Sequence, residues 1–437
     1  MPPDLATLTS ARGYRLANVT LPACLTNAEG LPAASEGLLL ADIDIADGAI
    51  AAIAPPGATN ARPSTVDLDR GMVLPCFADV HTHLDKGHIW PRRPNPDGTF
   101  IGALNAVLAD REANWNASDV SARIDFALRC AYAHGTAAIR THIDSRPGQT
   151  AISWPVFAQM RERWAGRIAL EASPLFGIDL AADDEHMAEV TEAVARFGHV
   201  MGAVTYMGPT LRPGLDRLFR LAMDRDWDLD FHVDETMDSG AHSLRVIADM
   251  AIDLKFQGRI LVGHCCSLSV QGEDEAARTL DRVAKAGISV VSLPMCNMYL
   301  QDRVAGRTPR RRGVTLLHEM KARGIDVMVA SDNTRDPFYA YGDLDCLEVL
   351  REATRILHFD HPHGDWINAI TGTPAAFMGS DVLLKPGAAA DLVLFGARNW
   401  NELLSRPQSD RRVMRSGAII GATVPDYREL DALAGVA

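Results

Sequence analysis

The spacing of apolar and polar positions divides the chain into two styles. Residues 14 to 70 alternate short apolar stretches with turn residues, as in YRLANVTLP, LLLADIDIADGAIAAIAPPG and STVDLDRG. Runs of this length, bounded by Gly, Pro and Asp, predict short strands and not helices. The carboxyl-terminal part resumes the style in DVLLKPGAAADLVLFGA and RRVMRSGAIIGATV. Two strand-rich ends around a different middle predict one small β-sandwich domain built from both termini, over residues 1–71 and 375–437.

In the middle, eight strand-like apolar runs recur: VLPCFADVHTH, GTAAIRTHID, RIALEASPLFGI, HVMGAVTYMG, LDFHVDE, RILVGHCC, ISVVSLPM and IDVMVASDN. Amphipathic helical stretches such as DVSARIDFALRCAYAHG and EDEAARTLDRVAKAG lie between them. This alternation predicts an α/β architecture, a parallel (β/α)8 barrel of the TIM type over residues 72–374. In nearly every run the apolar residues come first and His, Asp, Glu or Arg stand at the carboxyl end. Barrel enzymes carry their chemistry at that end of the strands, so the polar tips are expected to converge.

A length of 437 residues accommodates such a barrel and a smaller companion, and 47% hydrophobic with 23% charged residues is a globular composition. The net charge of −13 argues against a nucleic-acid surface, which needs a basic patch. No apolar run approaches the ~20 residues of a membrane span. The opening MPPDLATLTSARGYRLANVT lacks the basic and apolar regions of a secretory signal, so a cytoplasmic protein is expected. The seven cysteines (24, 76, 130, 265, 266, 296 and 346) show no CxxC spacing and read as buried thiols. The expected partners are a small molecule and water, and the sequence is compatible with a homo-oligomer.

His81 and His83 stand two apart in DVHTH, and residues i and i+2 of a strand face the same side, so both imidazoles can face one ion. His232 ends LDFHVDE and Asp332 ends VMVASDN, each on a later strand tip. Four nitrogen and oxygen ligands on one rim suit a single divalent metal, Zn2+ or Fe2+, with a position left for water. Glu235 follows His232 by three residues and is either a proton shuttle for that water or a solvated loop acid. His264 in VGHCC is either an orienting group at the reaction centre or a structural histidine. His142 and Asp144 in RTHID are assigned to the layer behind the ligands or to the pocket wall, because four ligands are already supplied elsewhere, and Asp85, Lys86 and Asp336 to the rim. His134, His186, His199, His318, His358, His361 and His363 are expected to be solvated.

These residues resemble the cytosine deaminase branch of the amidohydrolase superfamily, which includes N-isopropylammelide-type triazine aminohydrolases. The likeness runs nearly the whole length, through LPCFADVHTHLDK, GTAAIRTHID, DLDFHVDET, GRILVGHCCSL, NMYLQDR, RRGVTLLHEM, ASDNTRDPFYAYG and KPGAAADLVLF. The resemblance implies that His81, His83, His232 and Asp332 bind metal, that Glu235 shuttles protons, and that His264 faces the attacking water. Asp332 would double as a base. Cytosine deaminases carry a glutamine that bonds the ring amide where this chain has Leu175, and a second aspartate where it has Asn333; Phe338 is the aromatic that follows. No lysine stands where binuclear relatives carry a bridging one, and Glu171 lies inside its strand, so one ion is expected. The implied reaction is hydrolytic deamination of a small cyclic nitrogen compound: a cytosine-like pyrimidine, a triazine or a creatinine-like ring. Amide hydrolysis by the same groups is the alternative. A silent binding protein would have lost a ligand or the shuttle, and neither is missing.

Overall fold

The structure, a computed structural model, describes residues 13–58 and 64–435. Its first strands are β1 (Gly13–Pro22), β2 (Leu38–Ala46), β3 (Ala49–Ala54), β4 (Thr65–Asp67) and β5 (Val73–Pro75). The middle carries β6 (Phe77–Thr82), β7 (Thr136–Asp144), β8 (Ala169–Leu175), β9 (Val200–Thr205), β10 (Asp228–Val233), β11 (Ile260–His264), β12 (Ser289–Ser292) and β13 (Val327–Val329). Strands β14 (Leu392–Leu394), β15 (Arg412–Arg415) and β16 (Ala418–Ile419) follow. The chain divides into two compact units, one of residues up to Ala78 with Ala131–Ala138 and Asp345–Val424, the other of Asp79–Cys130, Ile139–Leu344 and the segment from Pro425.

The first unit contains two four-stranded sheets, ordered β3-β2-β1-β4 and β16-β15-β14-β5. One buried cluster takes Tyr14, Leu16, Ile43 and Ile45 from the first sheet with Leu392, Leu394 and Met414 from the second. Arg15 is buried beside Asp44 and satisfies it with two hydrogen bonds, of 2.8 and 3.1 Å, so the buried charges are paired.

The second unit has an α/β architecture. Its five-stranded sheet runs β13-β12-β11-β10-β9 with every neighbour parallel, and β6-β7-β8 form a second sheet. Two isolated parallel bridges, Gly177↔Val204 and Thr82↔Asp332, connect the chain beyond β8 to β9 and the end of β6 to the chain beyond β13. β6, β11, β12 and β13 are buried at every position, which is why their sequences read as continuous apolar runs and not as alternating ones. The intervening helices are one-sided. The helix Glu273–Lys285 buries Ala276, Thr279, Leu280 and Val283 at helical spacing. Its first turn holds Glu273, Asp274 and Glu275 and its last Arg282 and Lys285, each charge matched to the helix dipole. No helix among the described residues is long and apolar enough to cross a membrane.

Polar residues also occupy the strand interior. Arg140 on β7 donates to Asp230 on β10 at 3.2 Å and to Glu171 on β8 at 2.8 and 3.1 Å. Backbones crowd here: Gly202 on β9 is the register partner of Asp230, and a Cβ at Gly202 would collide with the Asp230 carbonyl oxygen and meet Ser173 Oγ at 2.7 Å. Gly202→Ala is therefore expected to lower the unfolding free energy by about 1–3 kcal/mol. Thermal melting checks this, and an unchanged midpoint would show that the interior can yield.

Candidate metal centre and active site

The second unit brings the polar strand tips together. His81 lies in β6 with His83 two residues on, His232 lies in β10, His264 ends β11, and Asp332 follows β13. All five are buried. The Asp332 N–H donates to the His81 carbonyl at 2.9 Å, so backbone pairing alone fixes the aspartate beside the first histidine. His264 and Asp332 both have left-handed backbones, with φ of 70° and 61°. That conformation costs about 1–2 kcal/mol for a residue with a Cβ, and here it turns the chain at the strand tips. Gly263 makes room for this packing, because a Cβ there would stand 2.8 Å from His81 Cε1.

Within this cluster His83 Nε2 lies 3.3 Å from His232 Nε2 and 3.1 Å from Asp332 Oδ1, and His81 Nε2 is 3.6 Å from that oxygen. Among the described residues, neither ring nitrogen of His81 and neither oxygen of Asp332 has a hydrogen-bond partner. Buried polar atoms of native proteins are ordinarily paired, so a group of orphaned donor atoms this close together is fitted to an ion. Burial, before the neighbouring imidazoles and Lys86, holds His81, His83 and His232 well below the usual histidine range. They are thus neutral at physiological pH and present lone pairs, the form that binds a metal. The nitrogen and oxygen donor set suits Zn2+ or Fe2+.

Glu235 adjoins the cluster. Its Oε1 accepts from Asn297 Nδ2 at 3.2 Å and lies 3.4 Å from His264 Nδ1, while Asn297 Nδ2 also stands 3.0 Å from that imidazole nitrogen. Burial first, and then the Asp332 charge, push the Glu235 carboxyl well above its usual range. His264 is held down to about 4, mainly by burial. Asn297 had no role in the sequence reading, although it stands in the NMYLQDR stretch. It lies in the short helix Pro294–Leu300 after β12, where spacing gives no sign of a partner.

His142 lies against the ligand cluster, in the layer behind it. Its ring centroid is 4.1 Å from that of His81 and 4.5 Å from that of His232, and its Nε2 faces Asp230 Oδ1 at 3.1 Å. Asp230 and His232 are two apart on β10, as Arg140 and His142 are on β7. The period of two that singled out His81 and His83 was therefore also available for this second layer. Glu171 is bound to Arg140 and does not join the cluster. Asp144 pairs with Arg111 at 2.8 Å, and its N–H donates to Asp85.

Leu175 is the half-buried last residue of β8, and its carbonyl accepts from Ser145 N–H at 2.9 Å. Asn333 donates to Asp336 at 2.6 Å, and its oxygen accepts from the Cys296 thiol. Phe338 is buried, meets Phe100 edge-on, and lies under the Lys86 amine. His186, expected to be solvated, is buried against Phe176.

Residues 174–424 match the model of an amidohydrolase family, more than half of the chain. Over 428 residues, 98% of each protein, the chain is 54% identical to a pterin deaminase of Rhizobium rhizogenes. Two solved structures share its fold. One is a 5-methylcytosine deaminase of Klebsiella pneumoniae (TM-score 0.80, 22% identity, 94% of this chain and 98% of that one). The other is an N-isopropylammelide isopropylaminohydrolase of Burkholderia multivorans (TM-score 0.75, 24% identity, the same coverage). The chain therefore belongs to the amidohydrolase superfamily, in its deaminase branch, and is a hydrolase acting on C–N bonds.

Proposed function

We propose that the protein is a metal-dependent hydrolytic deaminase of a pterin-like heteroaromatic ring, and that His81, His83, His232 and Asp332 hold one divalent ion. The observation that carries this reading is the Glu235 carboxyl beside the His/Asp cluster in a chain 54% identical to a pterin deaminase. The two bridges between its sheets support a closed (β/α)8 barrel, and the shared core of the first unit's sheets supports a β-sandwich. The absence of a membrane-crossing helix among the described residues fits a cytoplasmic enzyme.

His81, His83, His232 and Asp332 would hold a divalent ion, which when bound would supply an activated water near neutral pH. Glu235 is placed to carry one proton from the attacking water to the ring nitrogen and the second, from the added hydroxyl, to the leaving amine. Its raised affinity for protons, caused by burial, suits a group that must accept and return one at neutral pH. Asn297 bonds Glu235 and His264, fixing the shuttle relative to the imidazole that orients the water. Leu175 offers no hydrogen bond to a ring amide, which disfavours cytosine and favours a ring with another anchoring group.

Purified protein loaded with Zn2+ or Fe2+ is expected to release ammonia from pterin, with about one equivalent of metal per chain and loss of activity on chelation. Cleavage of amides without ammonia release from any amino-substituted ring would overturn the deaminase reading. Glu235→Gln keeps size while removing the proton acceptor, so metal content should persist and turnover should fall by ~10² or more. Normal turnover would return Glu235 to the status of a loop acid. Gly263→Ala pushes the added methyl toward His81 and is expected to weaken metal retention in competition with a chelator. Wild-type retention would show that the His81 ring is free to shift.

A further inference from the structure

Lys86 is 5% exposed, and among the described residues no carboxylate or carbonyl pairs with its side chain. Its amine instead lies over Phe338, with Nζ 4.6 Å from the ring centroid. The residue stands on a fixed turn: Lys86 N–H and Gly87 N–H both donate to the His83 carbonyl, at 3.2 and 3.1 Å, and His88 N–H donates to Thr334. Its charge reaches His83, His232, Glu235, Asp85 and Asp336, so the amine belongs to the neighbourhood of the proposed ligands and shuttle. A π face satisfies none of the three N–H donors of an ammonium, so the amine keeps its capacity to donate to a ligand. A ligand that completed this site would bring a planar ring to the aromatic wall and an electron-rich oxygen to the amine.

We propose that Lys86 donates to the ring carbonyl oxygen of an amino-oxo heteroaromatic substrate, taking the anchoring role that Leu175 cannot fill. This inference rests on the deaminase reading. In pterin the carbonyl is conjugated through a ring nitrogen with the amino-bearing carbon, so its oxygen gains negative charge as water adds to that carbon, and a fixed cation there binds the reacting ring more tightly than the resting one. A ring with an amino group in place of the oxo group presents hydrogen-bond donors to Lys86 and forfeits the interaction. Lys86 thereby sets specificity for oxo rings over diamino rings.

The test compares pterin with 2,4-diaminopteridine as substrates of the metal-loaded wild type, Lys86→Met and Lys86→Arg, and measures the affinity of the 2,4-dioxo product by fluorescence. In Lys86→Met, metal content should hold, and the diamino ring should lose less kcat/KM than pterin does. The kcat/KM for pterin and the affinity for the dioxo ring should fall about 10- to 100-fold, the range for a charge-assisted hydrogen bond. Lys86→Arg should recover part of both. Equal losses on the two rings, or unchanged product affinity in Lys86→Met, would overturn the role of Lys86. A wild type that releases ammonia from neither ring would instead overturn the deaminase reading.

Discussion

The second unit is organised around one physical constraint: ring nitrogens and carboxylate oxygens with no protein partner are held together out of water. His81 and Asp332 carry such orphaned atoms, and His83, His232 and His264 crowd against them. Leaving a buried polar atom unpaired costs about 1–3 kcal/mol, so these side chains would turn away or draw in water if they were free to move. They are not free, because each sits on or next to a strand whose backbone pairing fixes its direction. The left-handed turns at His264 and Asp332 and the missing side chain at Gly263 are local concessions to the same end. Rigid strands thus hold donor atoms that favour an ion over any rearrangement of the protein.

A second layer of charge supports the first. Glu171, Arg140 and Asp230 follow one another with alternating sign, Arg140 fully buried between two carboxylates, and His142 pairs with Asp230. A lone aspartate in that position would draw a proton or attract the nearest cation. With Arg140 beside it, Asp230 stays paired and accepts from His142, which holds one imidazole of the crowded group in place. Residues that accept or donate behind a histidine cluster in this way fix ring orientation, and orientation decides whether lone pairs meet at one point.

The parts of the molecule legible in the sequence were those governed by short repeats. Continuous apolar runs ending in polar residues marked β6 to β13, because strands buried on both faces cannot hide their composition. The HxH pair was visible because its two members share one strand. Asn297 was not, because its partners Glu235 and His264 come from other strand ends and only the fold brings them to it. For His142, counting the ligands already available left the pocket wall and the layer behind the ligands equally open, and only the fold shows its ring packed against theirs. His186 looked solvated by its helical setting, yet Phe176 covers it, since the face a helix buries is decided by what packs there.

The same reasoning separates residues that hold a loop from residues with capacity left for a ligand. Asn333, the conspicuous departure after the metal aspartate, has its amide nitrogen on Asp336 and its oxygen on the Cys296 thiol. Asp336 in turn accepts from the backbone N–H groups of Phe338 and Tyr339, so these side chains shape the turn that presents Phe338. Burial raises the Asp336 carboxyl to about 6, and the Lys86 charge first, then three hydrogen-bond donors, keep it from rising further. A side chain bonded at both ends contributes shape and has little left for a substrate. The Lys86 amine lies over the Phe338 ring with no hydrogen-bond acceptor among the described residues, so it retains its donor capacity. In a chain whose Leu175 offers only apolar surface, the balance between bonded and unbonded polar groups therefore places recognition at the amine and shape at the asparagine.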